Sequence, residues 1–117
     1  MAEPQRVLIV EDEPLISMML EDFLDLLGRR VAGTADSCET AIPRIETGDI
    51  DAAILDVNLR GGEKSWPVAD ALAAAGIPFV LATGGSDDTI VEVYKDRPVL
   101  SKPFTLEGVE AALDSLG

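Results

Sequence analysis

Five polar residues in this chain follow directly on aliphatic runs, and their types are those that phosphoryl chemistry uses. Glu11 and Asp12 follow Arg6-Val7-Leu8-Ile9-Val10, and Asp56 follows Ala52-Ala53-Ile54-Leu55. Thr83 follows Pro78-Phe79-Val80-Leu81-Ala82, and Lys102 follows Pro98-Val99-Leu100-Ser101. Three carboxylates held about 4–5 Å apart repel by roughly 3–4 kcal/mol per pair at an effective dielectric of about 20. A hard cation with oxygen ligands relieves this. Mg2+ takes one or two carboxylates, keeps waters and bridges to phosphate oxygens. A carboxylate can also be a nucleophile that forms an aspartyl-phosphate. The transferring group spreads negative charge over its equatorial oxygens, so the reaction needs positioning and cations rather than a base. On this reading Asp56 accepts the phosphoryl group. Lys102 pairs with one of its oxygens, the metal with another, and the Thr83 hydroxyl donates to a third. An ionised carboxylate needs no general base, so the lack of any histidine is no obstacle.

Each of these residues alone is ordinary. An Asp after a strand is usually a turn or cap residue, a Thr there is usually structural, and a Lys is usually a solvated charge. The argument lies in their joint placement, which depends on the elements that carry them. Arg6 to Val10 reads as a strand buried on both faces. Glu13-Pro14 opens a helix, since proline suits the first helical position. Leu15, Ile16, Met19, Leu20, Phe23, Leu24 and Leu27 recur at helical spacing, with Gly28 placed to end it. The alternation then repeats. Arg30 to Ala35 is a weaker strand, and Ser37 caps a helix to about Glu46 that must accommodate Pro43. Ala52 to Leu55 is a strand ending at Asp56, and Gly61-Gly62 marks a loop. Trp66 to Ala75 is helical. Pro78 to Ala82 is a strand ending at Thr83-Gly84-Gly85, and Ser86 to Tyr94 is a short helix. Pro98 to Ser101 is a short strand ending at Lys102-Pro103, and Thr105 caps a last helix to Leu116.

Five strand–helix repeats imply a five-stranded parallel sheet covered on both faces. Right-handed crossovers make it a doubly wound, flavodoxin-like α/β fold with strand order 2-1-3-4-5. In such folds the ligand site lies outside the carboxyl ends of the strands. Glu11, Asp12, Asp56, Thr83 and Lys102 are therefore expected on one rim.

Composition narrows the function classes. The 117 residues suit one domain, taken as residues 1–117 without an output domain, and 47% are hydrophobic, enough for a core. Nine Lys and Arg against 22 Asp and Glu leave a net charge of −13, which argues against nucleic acid and against anionic membranes. Divalent cations and basic protein surfaces fit better. Cys38 is the one cysteine, so no intramolecular disulfide forms, which suits a reducing cytoplasm. No signal peptide and no apolar stretch long enough for a membrane span is present.

Together these residues resemble the response-regulator receiver family of bacterial two-component signalling. The resemblance runs from Val7 to the last helix and rests on Glu11-Asp12, Asp56, Thr83 and Lys102-Pro103-Phe104. It implies that Asp56 is the phosphoacceptor and that Asp12 and Asp56 bind Mg2+ directly. Glu11 then acts through water, the backbone carbonyl of Asn58 completes the protein ligands, and Thr83 and Lys102 contact the phosphoryl group. It also implies a cis Lys102-Pro103 peptide. The donor would be a sensor histidine kinase or a histidine phosphotransfer protein, and the output either a downstream protein target or service as a phosphate sink, in a monomer or weak homodimer. The stretch Pro78 to Gly85 resembles the stand-alone "FAT GUY" receivers, whose fourth helix is short or atypical. Leu81 replaces that subgroup's Phe and Gly85 its Tyr. Most receivers also carry an aromatic residue three positions before the lysine, where this chain has Val99. The usual aromatic readout does not carry over, and the expected route is the segment from Gly84 to Arg97.

Two rival readings share parts of the pattern. A haloacid-dehalogenase-like phosphatase uses a strand-end Asp, a Thr or Ser, a Lys and Mg2+. Here, however, Asn58 stands where its acid would be, and the acidic pair precedes the nucleophile strand. A pseudo-receiver would keep the fold as an interaction module without using phosphate. Dinucleotide binding lacks support because no G-x-G-x-x-G follows the first strand.

Overall fold

The computed structural model describes residues 5–59, 62–84 and 90–116. In chain order it contains β1 (Arg6–Val10), α1 (Pro14–Leu26), β2 (Arg30–Ala35), α2 (Cys38–Glu46), β3 (Ala52–Asp56) and α3 (Trp66–Ala74). These are followed by β4 (Phe79–Thr83), a 3-10 turn (Glu92–Tyr94), β5 (Val99–Ser101) and α4 (Leu106–Asp114). All strands pair in parallel in the order β2-β1-β3-β4-β5, which is the doubly wound arrangement expected. Gly61, Gly85 and the Ser86–Thr89 part of the expected fourth helix lie outside the described residues. Of its remainder, Ile90 and Val91 are not helical and Glu92–Tyr94 form the single 3-10 turn.

Side-chain alternation divides the sheet between two cores. Leu8, Val10, Leu55 and Leu81 pack against Ala41 and Ile45 of α2 and Val68 and Leu72 of α3. Val7, Ile9, Ile54 and Val80 pack against Leu20 and Leu24 of α1 and Val109 and Leu113 of α4. Each fully buried Leu, Ile or Val contributes about 1.5–3 kcal/mol, and β3 and β4 are buried at every residue. That burial on both faces makes the central strands rigid supports for the residues at their ends.

Local chemistry sets the helix bounds. Glu13 is extended and Pro14 takes the first helical position of α1. Beyond its end, Gly28 has φ +73, a conformation that favours glycine. At α2 the Ser37 hydroxyl accepts from the Thr40 N–H at 3.2 Å, while the Ser37 N–H donates to the Thr40 hydroxyl at 3.2 Å. This reciprocal cap offsets the proline inside the helix. Pro43 sits on the exposed face and so does Glu39, so water can take the carbonyl that Pro43 leaves without a donor.

Two further features lie away from the strand ends that carry the polar residues. The β1–β2 register shifts between Val7 and Leu8, which pair with Val31 and Gly33. Ala32 is thus an extra residue, and its carbonyl accepts from Arg44 Nη2 at 2.7 Å. A Cβ at Gly33 would lie 1.8 Å from that nitrogen. At the opposite end of the sheet, Arg6 bonds Asp51 through its backbone N–H at 2.8 Å and its Nε at 3.1 Å. Arg29 pairs there with Asp114 at 2.7 Å. Among the described residues no helix is long and apolar enough to cross a membrane.

Candidate functional site

Strand register brings the site together. Val10 lies beside Leu55, Asp56 beside Ala82, and Thr83 beside Ser101. Glu11, Asp56, Thr83 and Lys102 therefore stand at or just past the ends of four adjacent strands. The strand ends are fastened to one another. Glu11 N–H donates to Ala35 O at 2.9 Å, Val57 N–H to Ala82 O at 3.0 Å, and Lys102 N–H to Thr83 O at 2.9 Å. The Lys102-Pro103 peptide is cis.

Glu11, Asp12 and Asp56 each offer a carboxylate oxygen, and the three atoms lie within 4.8 Å of one another. Glu11 and Asp56 are only 5% and 3% exposed. Lys102 Nζ is 3.0 Å from Asp56 Oδ2 and 3.2 Å from Glu11 Oε1. The bond to Asp56 is a hydrogen bond, whereas Glu11 Oε1 is buried without a hydrogen-bond partner. The Glu13 N–H donates to Glu11 Oε2 at 3.2 Å, and the Asn58 N–H donates to Asp56 Oδ1 at 3.3 Å. Asp12, Glu13, Asp56, Asn58, Gly84 and Lys102 line a cavity of about 230 Å3 beside these groups. Thr83 is buried at the last residue of β4, one residue before the cavity wall at Gly84.

The electrostatics follow from two buried carboxylates sharing one ammonium, with a third carboxylate nearby. Burial, then the hydrogen bond and charge of Asp56, push the Glu11 carboxyl up to about 7. Burial opposes the Lys102 charge, but the hydrogen bond and charge of Asp56, followed by Glu11, outweigh it and leave the lysine above its ordinary value. The surplus negative charge, a buried Glu11 oxygen held only by the Lys102 ion pair and an all-oxygen donor set are what a hard divalent cation needs. The cluster could hold one.

Three neighbours of the site carried no signal in the sequence reading. Glu13 supplies the N–H that meets Glu11. Lys64 donates from Nζ to Asn58 Oδ1, placed there by the loop neck in which Leu59 N–H bonds Glu63 O at 2.7 Å and Ser65 N–H bonds Val57 O at 3.1 Å. Glu63 in turn accepts from the Cys38 N–H at the start of α2, at 3.0 Å. Such pairings depend on how a loop closes, which residue types do not reveal. Trp66 is partly buried and packs against the core shared by α2 and α3.

A parallel sheet in this order with an acidic trio and a lysine at its strand ends defines a class. The chain belongs to the response regulator receiver domain family, whose model matches residues 7–114. Receivers are signalling domains of two-component systems that interact with kinases and downstream proteins. Among solved structures, the chain is similar to SdrG from Sphingomonas melonis Fr1, with 63% identity, 99% of this chain and 98% of that one covered, and a TM-score of 0.89. Against the BeF3-activated conformation of SdrG from Pseudomonas melonis Fr1, at the same identity and coverage, the TM-score is 0.84. The transcriptional regulatory protein PdtaR of Mycobacterium tuberculosis is 29% identical over 116 residues, covering 97% of this chain and 57% of PdtaR. TcrA from the same organism is 32% identical over 125 residues, covering 95% of this chain and 45% of TcrA. The chain thus spans about half the length of these curated relatives.

Proposed function

We propose that this receiver takes a phosphoryl group onto Asp56 from the phosphohistidine of a sensor histidine kinase or a histidine phosphotransfer protein. The observation that carries this reading is the Asp56 carboxylate, buried, bonded to Lys102 and open to a cavity lined by Asp12, Asn58 and Gly84. An Asp56 oxygen attacks phosphorus, the bond from phosphorus to the imidazole nitrogen breaks, and its electron pair stays with the departing imidazole. Lys102 is already within 3.0 Å of Asp56 and turns its ammonium to a phosphoryl oxygen. Before attack the Asn58 N–H holds the carboxylate at Oδ1, and after it the Thr83 hydroxyl contacts a second phosphoryl oxygen. Asp12 and Asp56 would hold Mg2+ directly, with Glu11 through water and Asn58 through its backbone carbonyl. Bound there, the metal would neutralise charge on the transferring group.

The modified chain signals by binding a downstream protein or by drawing phosphate from its donor. A net charge of −13 favours basic protein surfaces over nucleic acid or anionic membranes. A free cysteine agrees with action in a reducing cytoplasm. Incubation with Mg2+ and a small phosphodonor, read by intact mass, tests the reading. The wild type gains one phosphoryl group and Asp56→Asn gains none. Equal labelling of both would overturn the assignment.

A further inference from the structure

Tyr94, the chain's one tyrosine, closes the 3-10 turn that stands in the region of the expected fourth helix. It is 5% exposed. Its ring stacks on Trp66, with centroids 5.9 Å and planes 18° apart, and meets Phe79 edge-on at 5.5 Å and 68°. Its hydroxyl donates to Asp70 Oδ1 on α3. The Arg97 guanidinium carbon lies 4.4 Å from the Phe79 ring centre and 5.9 Å from that of Tyr94. A three-residue turn has almost no hydrogen-bond ladder of its own, so these contacts hold it in place.

The same cluster reaches the site in a few bonded steps. Trp66 begins α3 directly after Ser65, whose N–H and hydroxyl both donate to Val57 O, at 3.1 and 3.3 Å. Val57 follows Asp56 and is fastened to Ala82 of β4, the strand that runs from Phe79 to Thr83. Val99, at the position where the family usually has an aromatic residue, is 46% exposed on an edge strand and offers no such connection.

We propose that Tyr94 is the positioning residue that couples the site to the 3-10 turn. With Trp66 and Asp70 it forms a latch fitted to the chain as it stands without a phosphoryl group. The proposal rests on the reading of Asp56 as acceptor. A phosphoryl group on Asp56 takes Lys102 away from the carboxylate and displaces the Asn58 N–H from Oδ1. The backbone just after Asp56 then moves, and Ser65 and Trp66 move with it. Ring stacking and the hydroxyl bond depend steeply on distance, so occupancy and latch oppose each other. Linkage sets the sign of the effect. Whatever weakens the latch strengthens binding at Asp56.

The test is calorimetric titration with beryllium fluoride in Mg2+, alongside thermal unfolding to establish that each variant is folded. Tyr94→Phe keeps the ring and removes the bond to a carboxylate, so the mimic should bind about tenfold tighter. Asp70→Ala removes the same bond from the other side and should give the same gain, with no further gain in the double variant. It also decides the matter if Tyr94→Phe does not fold. Folded variants that bind the mimic no better than wild type overturn the latch, because a purely structural Tyr94 would alter melting alone. If the wild type neither binds the mimic nor accepts phosphate from a small donor, the reading of Asp56 fails first and takes the latch with it.

Discussion

At the base of the sheet, Arg6 meets Asp51 at 3.1 Å and Asp49 at 3.6 Å, and Arg29 meets Asp114, with at least one partner of each pair exposed. Hydrogen bonds from the Arg6 side chain and then its backbone N–H hold the Asp51 carboxyl below its ordinary value. At the rim, Glu11 and Asp56 both meet the Lys102 ammonium with the Asp12 carboxylate beside them, and the side chains of Glu11 and Asp56 are almost fully buried. There the Glu11 carboxyl moves the other way, to about 7, first through burial and then through Asp56. The same functional groups thus fasten the fold at one end and strain it at the other. Burial decides which, and the buried end is the one whose donor set could hold a cation.

The largest test removes the cation at the rim. Lys102→Met leaves three crowded carboxylates without their ammonium, and breaking a buried pair costs about 3–5 kcal/mol. The Lys102 side chain is 21% exposed, so the loss in urea unfolding with a chelator present should be about 2–3 kcal/mol. Saturating Mg2+ should recover part of it.

A smaller effect of opposite sign is expected from Glu11→Gln. The folded pKa of Glu11, about 7, exceeds its ordinary value of 4.5. Between these values the folded chain holds a proton that the unfolded chain has lost. The contribution of Glu11 therefore favours folding in full below about 4.5 and is lost as pH rises through 7. Without metal, Glu11→Gln should be more stable than wild type by about 1–2 kcal/mol at pH 8. That gap should close towards pH 5. Mg2+ affinity of the wild type should weaken as pH falls through about 7, since a protonated Glu11 offers no charge to the water it shares with the metal. Unfolding curves that stay parallel across this range would assign the surplus charge elsewhere.

The smallest effect belongs to the base. Asp51→Asn should cost no more than about 1 kcal/mol and less in high salt, as exposed pairs do. The contribution of Asp51 is present above the ordinary carboxylate pKa and fades as pH falls through its lowered folded value. A loss at Asp51 larger than that of Lys102→Met would erase the contrast between the two ends.

The rim was legible in the sequence because a parallel sheet converts a strand end into an address. Glu11, Asp56, Thr83 and Lys102 each follow an aliphatic run, and five runs with helices between them leave few topologies. Other features depend on tertiary contact. Tyr94 reads as part of a short helix until Trp66 and Asp70 are seen around it. Lys64 reads as a solvated charge until the loop neck sets it against Asn58. Pro43 argues against a helix that the Ser37–Thr40 cap and an exposed face nonetheless sustain. The extra residue at Ala32 leaves no trace in a strand whose Val31, Ala32 and Gly33 are small, apolar and all partly buried.

That extra residue bears on how molecules of this chain meet one another. An edge strand is a template on which a further strand can grow. On β2 the template is interrupted, because the Ala32 carbonyl is already taken by Arg44 and the guanidinium lies across Gly33. The pair is mutually dependent. Gly33 leaves room for Arg44, and Arg44 closes the edge that a bulge and a glycine would otherwise leave soft. Sheet extension from one molecule to the next is thereby disfavoured at this point of β2, and a side chain at position 33 would displace the guanidinium that interrupts it.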